Sequence, residues 1–245
     1  MITEVHRWRH ELHRIPEPGL QEHRTGDYLA AVLHAMGLEV TRGIGGTGLV
    51  ATLRRGTGGV IGLRADMDGL PLTERCTRTY RSVHHGVMHA CGHDGHMAMV
   101  LGAARVLAAE GGFAGVVHLV FQPAEEHGLG AKAMITDGLF ERFPMEAIFG
   151  LHNMPGHRCG RISTSPGGLM AGEDNVEIRV IGRGGHAARP QMLIDPIPIA
   201  AEITLALQTV VARNIDPAEP AGALTDRDHH RRGTQRDPRA GDPTR

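Results

Sequence analysis

Between His89 and His96 the chain reads His-Ala-Cys-Gly-His-Asp-Gly-His, which sets three imidazoles, a thiol and a carboxylate within eight residues. About thirty positions later, Gln122-Pro-Ala-Glu-Glu126 adds a carboxylate pair. Splitting an amide with water needs soft or borderline donors to hold a metal, and one carboxylate left free to move protons. Both are present. Cys91 and His93 can reach one ion if the backbone bends between them, and Gly92 permits that bend. Asp94 and His96 strengthen the reading, since metal-bound imidazoles lean on a carboxylate. His89 and His96 themselves stay open between structural and ligating roles. Glu125 and Glu126 follow a strand and point in different directions, so one can ligate while the other faces the attacking water as general base. The alternative for them is a solvated pair opening a helix, where the helix dipole favours negative charge. His152, in Phe149-Gly-Leu-His-Asn153, is open between polar packing and ligation. Asp66 and Asp68, in Leu63-Arg-Ala-Asp-Met-Asp-Gly-Leu-Pro71, are open between turn formation and function.

The elements around these residues alternate. Apolar spacing predicts helices over Ile2–Ile15, stopped by Pro16-Glu-Pro-Gly19, and over Glu22–Met36, stopped by Gly37. Leu49–Leu53 and Val60–Leu63 read as strands bounded by glycines, and Met97–Ala109 as a helix. Val116–Phe121 reads as a strand covered on both faces, Leu129–Asp137 as a helix and Ala147–Leu151 as another buried strand. This order predicts an α/β fold with a largely parallel or mixed sheet. Asp66 and Asp68, Glu125 and Glu126, and His152 then each follow a strand, where open α/β sheets place their sites. After Gly172, Asn175–Ile181 alternates like a strand with one solvated face, and Ile194–Val211 reads as a helix. They look like the start of a second, smaller α+β domain.

From Ala218 the text holds a single Leu, no Val, Ile, Met or aromatic, and many Arg, Asp and Pro, so it is expected to be disordered. Interspersed Asp argues against a basic nucleic-acid-binding tail. A net charge of −1 gives no overall pull toward nucleic acid or anionic membrane, and neither is expected as a partner. No apolar run approaches the ~20 residues of a membrane span, and the charged N-terminus lacks a secretory signal. Three cysteines, Cys76, Cys91 and Cys159, at irregular spacing suit a reducing compartment, so a cytoplasmic location is expected.

Six segments in order give a more specific signal: Arg9–Gly19, Arg64–Pro71, His89–His96, Phe121–Glu126, Gly150–Asn153 and Gly182–Pro190. In these the chain resembles the aminoacylase-like metallopeptidases, in particular the amidohydrolase branch of hippurate hydrolases, N-acetyl-diaminopimelate deacetylases and indole-3-acetyl-amino-acid hydrolases. The resemblance implies a mixed-sheet metallopeptidase catalytic domain over 1–172, the start of a lid and dimerisation domain over 173–217, and a non-family tail over 218–245. It implies Cys91, His93, Glu126 and His152 as ligands of two divalent ions, Zn, Mn, Co or Ni. Glu125 becomes the general acid/base, Asp68 the aspartate that orients the centre, and His186 the donor to the oxyanion, often supplied from a partner subunit. The substrate implied is a small N-acyl amino acid, and the assembly a homodimer or homotetramer. The chain departs from the pattern at Gln191, where relatives carry histidine, and after Pro217, where the family's remaining strands and last histidine ligand have no counterpart. A truncated or frameshifted chain of weak or no activity is therefore expected. The alternatives are a product of a disrupted gene that only binds metal, and a zinc-stabilised structural module.

Overall fold

The computed structural model describes residues 1–170, 172, 174, 176–216 and 221–223. The chain divides into two compact units, Met1–Arg158 and Cys159–Arg245.

In the first unit, α1 (Ile2–His13) and α2 (His23–Ala35) precede the strands β1 (Glu39–Ile44), β2 (Gly48–Arg55) and β3 (Val60–Asp66). Then follow α3 (His93–Glu110), β4 (Gly115–Gln122), α4 (Gly130–Thr136), α5 (Leu139–Arg142) and β5 (Ala147–Gly150). The five strands make one mixed sheet in the order β1-β2-β4-β3-β5. β2 pairs antiparallel with β1 and β4, whereas β3 runs parallel to both β4 and β5.

Side chains alternate across β4 as the pleat requires. Val117, Leu119 and Phe121 enter the main core with Trp8 and Leu12 of α1, Leu29 and Leu33 of α2, and Met97 and Leu101 of α3. Val120 faces the other way, into a smaller cluster with Ile44, Val50, Met134 and Leu139. β4 is thus covered on both faces, as its largely apolar run predicts. Two expectations differ. β1 is not foreseen, because an edge strand with two charged residues and a glycine among its six carries little apolar signal. β5 is expected to be buried, yet all four residues are exposed, because it lies at the sheet edge beside β3 alone.

The second unit holds a bridge between Arg183 and Ile194, a 3-10 turn at Pro190–Met192 and α6 (Pro196–Asn214). The Asp195 side chain caps α6 by accepting from the Ile197 amide at 3.0 Å. No strand forms over 176–181. A ladder needs a neighbour, and among the described residues of this unit the only pairing is that single bridge. The expected disordered tail lies almost wholly outside the described residues. No helix among them is long and apolar enough to cross a membrane.

Candidate metal centre

The C-terminal ends of three adjacent parallel strands carry the site. In register, Asp66 at the end of β3 pairs with Gln122 at the end of β4, and Arg64 pairs with Gly150 at the end of β5. Asp66 and Asp68, Glu125 and Glu126, and His152 therefore leave the sheet on the same side. α3 opens there too. Its N-cap is Gly92, at φ +91°, and a Cβ at that position would fall 2.5 Å from the Asn153 side chain. Glycine is thus required both by conformation and by close approach. Because α3 begins at His93 rather than near Met97, His93 and His96 share a helix face three residues apart.

His93 is the centre of the arrangement. Its Nδ1 donates to the Asp68 carbonyl at 2.9 Å and lies 3.3 Å from the Asp68 carboxylate. That fixes the tautomer and leaves the Nε2 lone pair free. Around Nε2 stand Asp66 Oδ2, Glu125 Oε2 and Glu126 Oε1, each at 3.7 Å. This is too long for a hydrogen bond. It is close to the ~3.4 Å that separates two donors on a tetrahedral ion at ~2.1 Å. His93 Nε2 and Glu126 Oε1 are buried without a hydrogen-bond partner, as is Asp68 Oδ1. Buried polar atoms are ordinarily paired, so the orphaned His93 Nε2 and Glu126 Oε1, 3.7 Å apart, fit a divalent cation.

His152 repeats the tautomer logic. Its Nδ1 donates to the Asn153 carbonyl at 2.7 Å, and its Nε2 stands 3.4 Å from Cys91 Sγ. Donor atoms of Cys91, His93 and His152 lie within 4.8 Å of one another, and the same holds for His93, Glu125 and Glu126. His93 belongs to both groups. Asp68 ties the halves together, since its Oδ2 accepts the Glu126 amide at 3.0 Å.

The electrostatics are those of a site built for positive charge. Burial would lower the His93 imidazole, but its hydrogen bond to Asp68 and the Asp66 and Glu126 charges outweigh this and hold it above the usual value. Burial and the neighbouring Glu126, Glu125 and Asp66 carboxylates push the Cys91 thiol up to about 12. Burial also raises Glu126, against the opposing pull of His93 and with help from the charges of Glu125 and Asp68. Asp66 goes the other way. Burial would raise it, but the hydrogen bond from His96 and the charges of His93 and Arg64 bring it down to about 2.

Two residues outside the expected set join the cluster. Asp66 and His96 group with His93, and His96 Nδ1 lies 2.6 Å from Asp66 Oδ1 while its Nε2 accepts the Asn153 amide at 3.1 Å. The sequence left His96 open between structural and ligating roles, and its three-residue spacing from His93 gains meaning once α3 is seen to start at His93. His89 is buried with neither ring nitrogen partnered, and burial depresses it to about 4. Asp94 turns away from the cluster to His13 Nδ1 at 2.9 Å and Arg9 Nε at 3.0 Å. His186 lies exposed in the second unit, its Nδ1 accepting the Ala188 amide at 3.1 Å.

The sequence pattern of Peptidase family M20/M25/M40 matches residues 62–229. The chain belongs to this family. The M20 match takes in all seven of the residues singled out above as ligands or catalytic groups, and it runs past Pro217. Among curated proteins the chain is 47% identical over 219 residues to a hippurate hydrolase of Campylobacter jejuni, covering 89% of this chain and 57% of that protein. It is 40% identical over 215 residues to an N-acetyl-L-cysteine deacetylase of Bacillus subtilis, covering 87% and 51%. The chain thus spans little more than half the length of these M20 relatives. A solved Bacillus subtilis structure, YXEP, described as a dinuclear metal binding peptidase from the M20 family, superposes with a TM-score of 0.60 at 36% identity, covering 63% of this chain and 44% of that one.

Proposed function

We propose that this chain carries the metal centre of an amidohydrolase that cleaves N-acyl amino acids, with Cys91, His93, Glu126 and His152 holding two divalent ions. The observation that carries the reading is the orphaned, buried Nε2 of His93, ringed by carboxylate oxygens at one distance. Hippurate and N-acetyl-cysteine, after which two relatives are named, are both N-acyl amino acids. The donor set of thiol, imidazole and carboxylate accepts Zn, Mn, Co or Ni. When bound, the ions supply a Lewis acid that polarises water and the amide carbonyl.

The chain's own residues do the rest. Glu125, whose side chain is 41% exposed, stands free to take the proton of the attacking water and pass it to the amine as the C–N bond breaks. The products are a carboxylic acid and an amino acid. Asp68 keeps His93 and the Glu126 amide in place, and His186 donates to the carbonyl oxygen as negative charge develops. The functional form in this reading is a homodimer or homotetramer in which His186 acts across subunits. The setting is the cytoplasm, whose reducing conditions keep a thiol ligand available.

A second reading, metal binding with little or no turnover by these 245 residues, is favoured by the exposure of His152 and of β5. Water on that side weakens every electrostatic contact in the site. One set of proteins tests both. Loaded with Mn or Zn, the chain should retain metal, while Cys91→Ser and His152→Ala should lose it and exposed His85→Ala should not. Hydrolysis of hippurate or N-acetyl amino acids should fall ~10²- to 10⁴-fold in Glu125→Gln with metal content unchanged. Equal metal in all variants contradicts the ligand set. Undiminished turnover in Glu125→Gln removes it from the mechanism.

A further inference from the structure

Glu22 is fully buried and stands at the N-cap of α2, yet its side chain does not cap that helix. Glu17 does so instead, accepting the amides of Arg24 at 3.2 Å and Thr25 at 2.8 Å. The Glu22 carboxylate is thereby left to reach across the fold. Its Oε1 accepts the amide of Ala124 at 2.8 Å, a residue 102 positions away, and its Oε2 accepts the Thr47 hydroxyl.

Ala124 immediately precedes the Glu125–Glu126 pair and sits at φ +44°. A side chain bearing Cβ holds this left-handed conformation only where its surroundings over-determine it. The surroundings here are specific. Ala124 is fully buried, and Gly19 packs against it so closely that a Cβ on Gly19 would fall 2.9 Å from Ala124 Cα. The Ala124 carbonyl is held as well, by the Gly130 amide at 3.1 Å. The same N-terminal loop reaches the other acidic segment, since the Glu17 carbonyl accepts the Gly69 amide at 2.8 Å, directly after Asp68. Pro16–Glu22 is therefore fastened to both loops whose carboxylates surround His93.

We infer that Glu22 is a positioning residue for the metal centre: by anchoring the Ala124 amide it holds the left-handed turn that aims Glu125 and Glu126 at His93. The inference rests on the metal-centre reading for its consequence, but its geometry is independent of any bound ion.

The test compares Glu22→Ala with Glu22→Gln in the full 245-residue chain. The glutamine Oε1 still accepts the Ala124 amide, and the Thr47 hydroxyl can rotate to accept from the new NH₂. Titrated with Zn²⁺ or Mn²⁺, Glu22→Ala should bind about 10-fold or more weakly, the loss typical for the outer partners of a metal site. Glu22→Gln should stay close to the unmodified chain. In parallel, hydrogen exchange at the Ala124 amide should be protected in the unmodified chain and in Glu22→Gln, and fast in Glu22→Ala. If Glu22→Ala does not fold, Thr47→Val, which removes only the second partner of Glu22, should weaken binding in the same direction. Unchanged affinity in Glu22→Ala, or in Thr47→Val where that stands in, overturns the assignment. So does equal loss in the Ala and Gln variants, which would mark a packing role. If the unmodified chain binds no metal, the metal-centre reading fails, and exchange at Ala124 alone decides the role of Glu22.

Discussion

His93 and His152 each spend one ring nitrogen on a backbone carbonyl and keep the other for the cluster, so the orientation of both imidazoles is set before any ion arrives. Cys91 is the opposite case. Its thiol is held protonated by burial and by the carboxylates around it, so metal must displace a proton to bind there and affinity should rise with pH. At this scale the sequence was informative where donor types stand side by side, as in Cys91-Gly-His93 and Glu125-Glu126. It left Asp66 open between turn formation and function and was silent on Glu22, since their partners lie 30 and 102 residues away. A residue remote from the centre allows a clean pH prediction. His118, buried against Thr52 at 3.0 Å, has its pKa lowered by burial and by Arg54. The unfolded chain therefore takes up this proton first, and the stability contributed by neutral His118 should be lost as pH falls below 6.5. Denaturant midpoints of the metal-free chain should decline less over that range in His118→Asn, which can still pair with Thr52. Identical slopes would exclude His118 as a contributor.

Among the elements, α3 does most to assemble the site, and its start is what the sequence concealed. Gly92 brings no side-chain cap to the first turn, so the apolar run from Met97 marked the helix while that turn, with His93 and His96, carried no apolar signal. Gly92→Ala should destabilise the fold by roughly 1–2 kcal/mol from the left-handed backbone alone. It should also weaken metal binding, because the new Cβ displaces Asn153 beside His152. Urea midpoints and a Zn²⁺ titration check the two effects, and a neutral outcome in both would mean the loop relaxes freely. β4 was legible because burial on both faces writes a run that is apolar except for His118. β5 carries a similar run, and sequence cannot distinguish a central strand from an exposed edge when the neighbour that decides it is another segment. The missing strand over 176–181 follows the same rule, since alternation is necessary for a ladder and a partner is also required.

At the scale of the molecule, the α/β alternation framed the fold, while the M20 membership came from ordered motifs rather than composition. The first unit contains every proposed metal donor, whereas His186, the proposed donor to the oxyanion, lies in the second unit. His186→Ala should accordingly leave metal affinity unchanged and lower only turnover. The central claim is that Cys91 and the imidazoles share an ion. X-ray absorption at the zinc edge of the Zn-loaded chain tests it most directly. The account predicts a sulfur neighbour at ~2.3 Å beside nitrogen and oxygen at ~2.0–2.2 Å, with the sulfur lost in Cys91→Ser. A shell of nitrogen and oxygen only in the unmodified chain, or a sulfur that persists in Cys91→Ser, would contradict it.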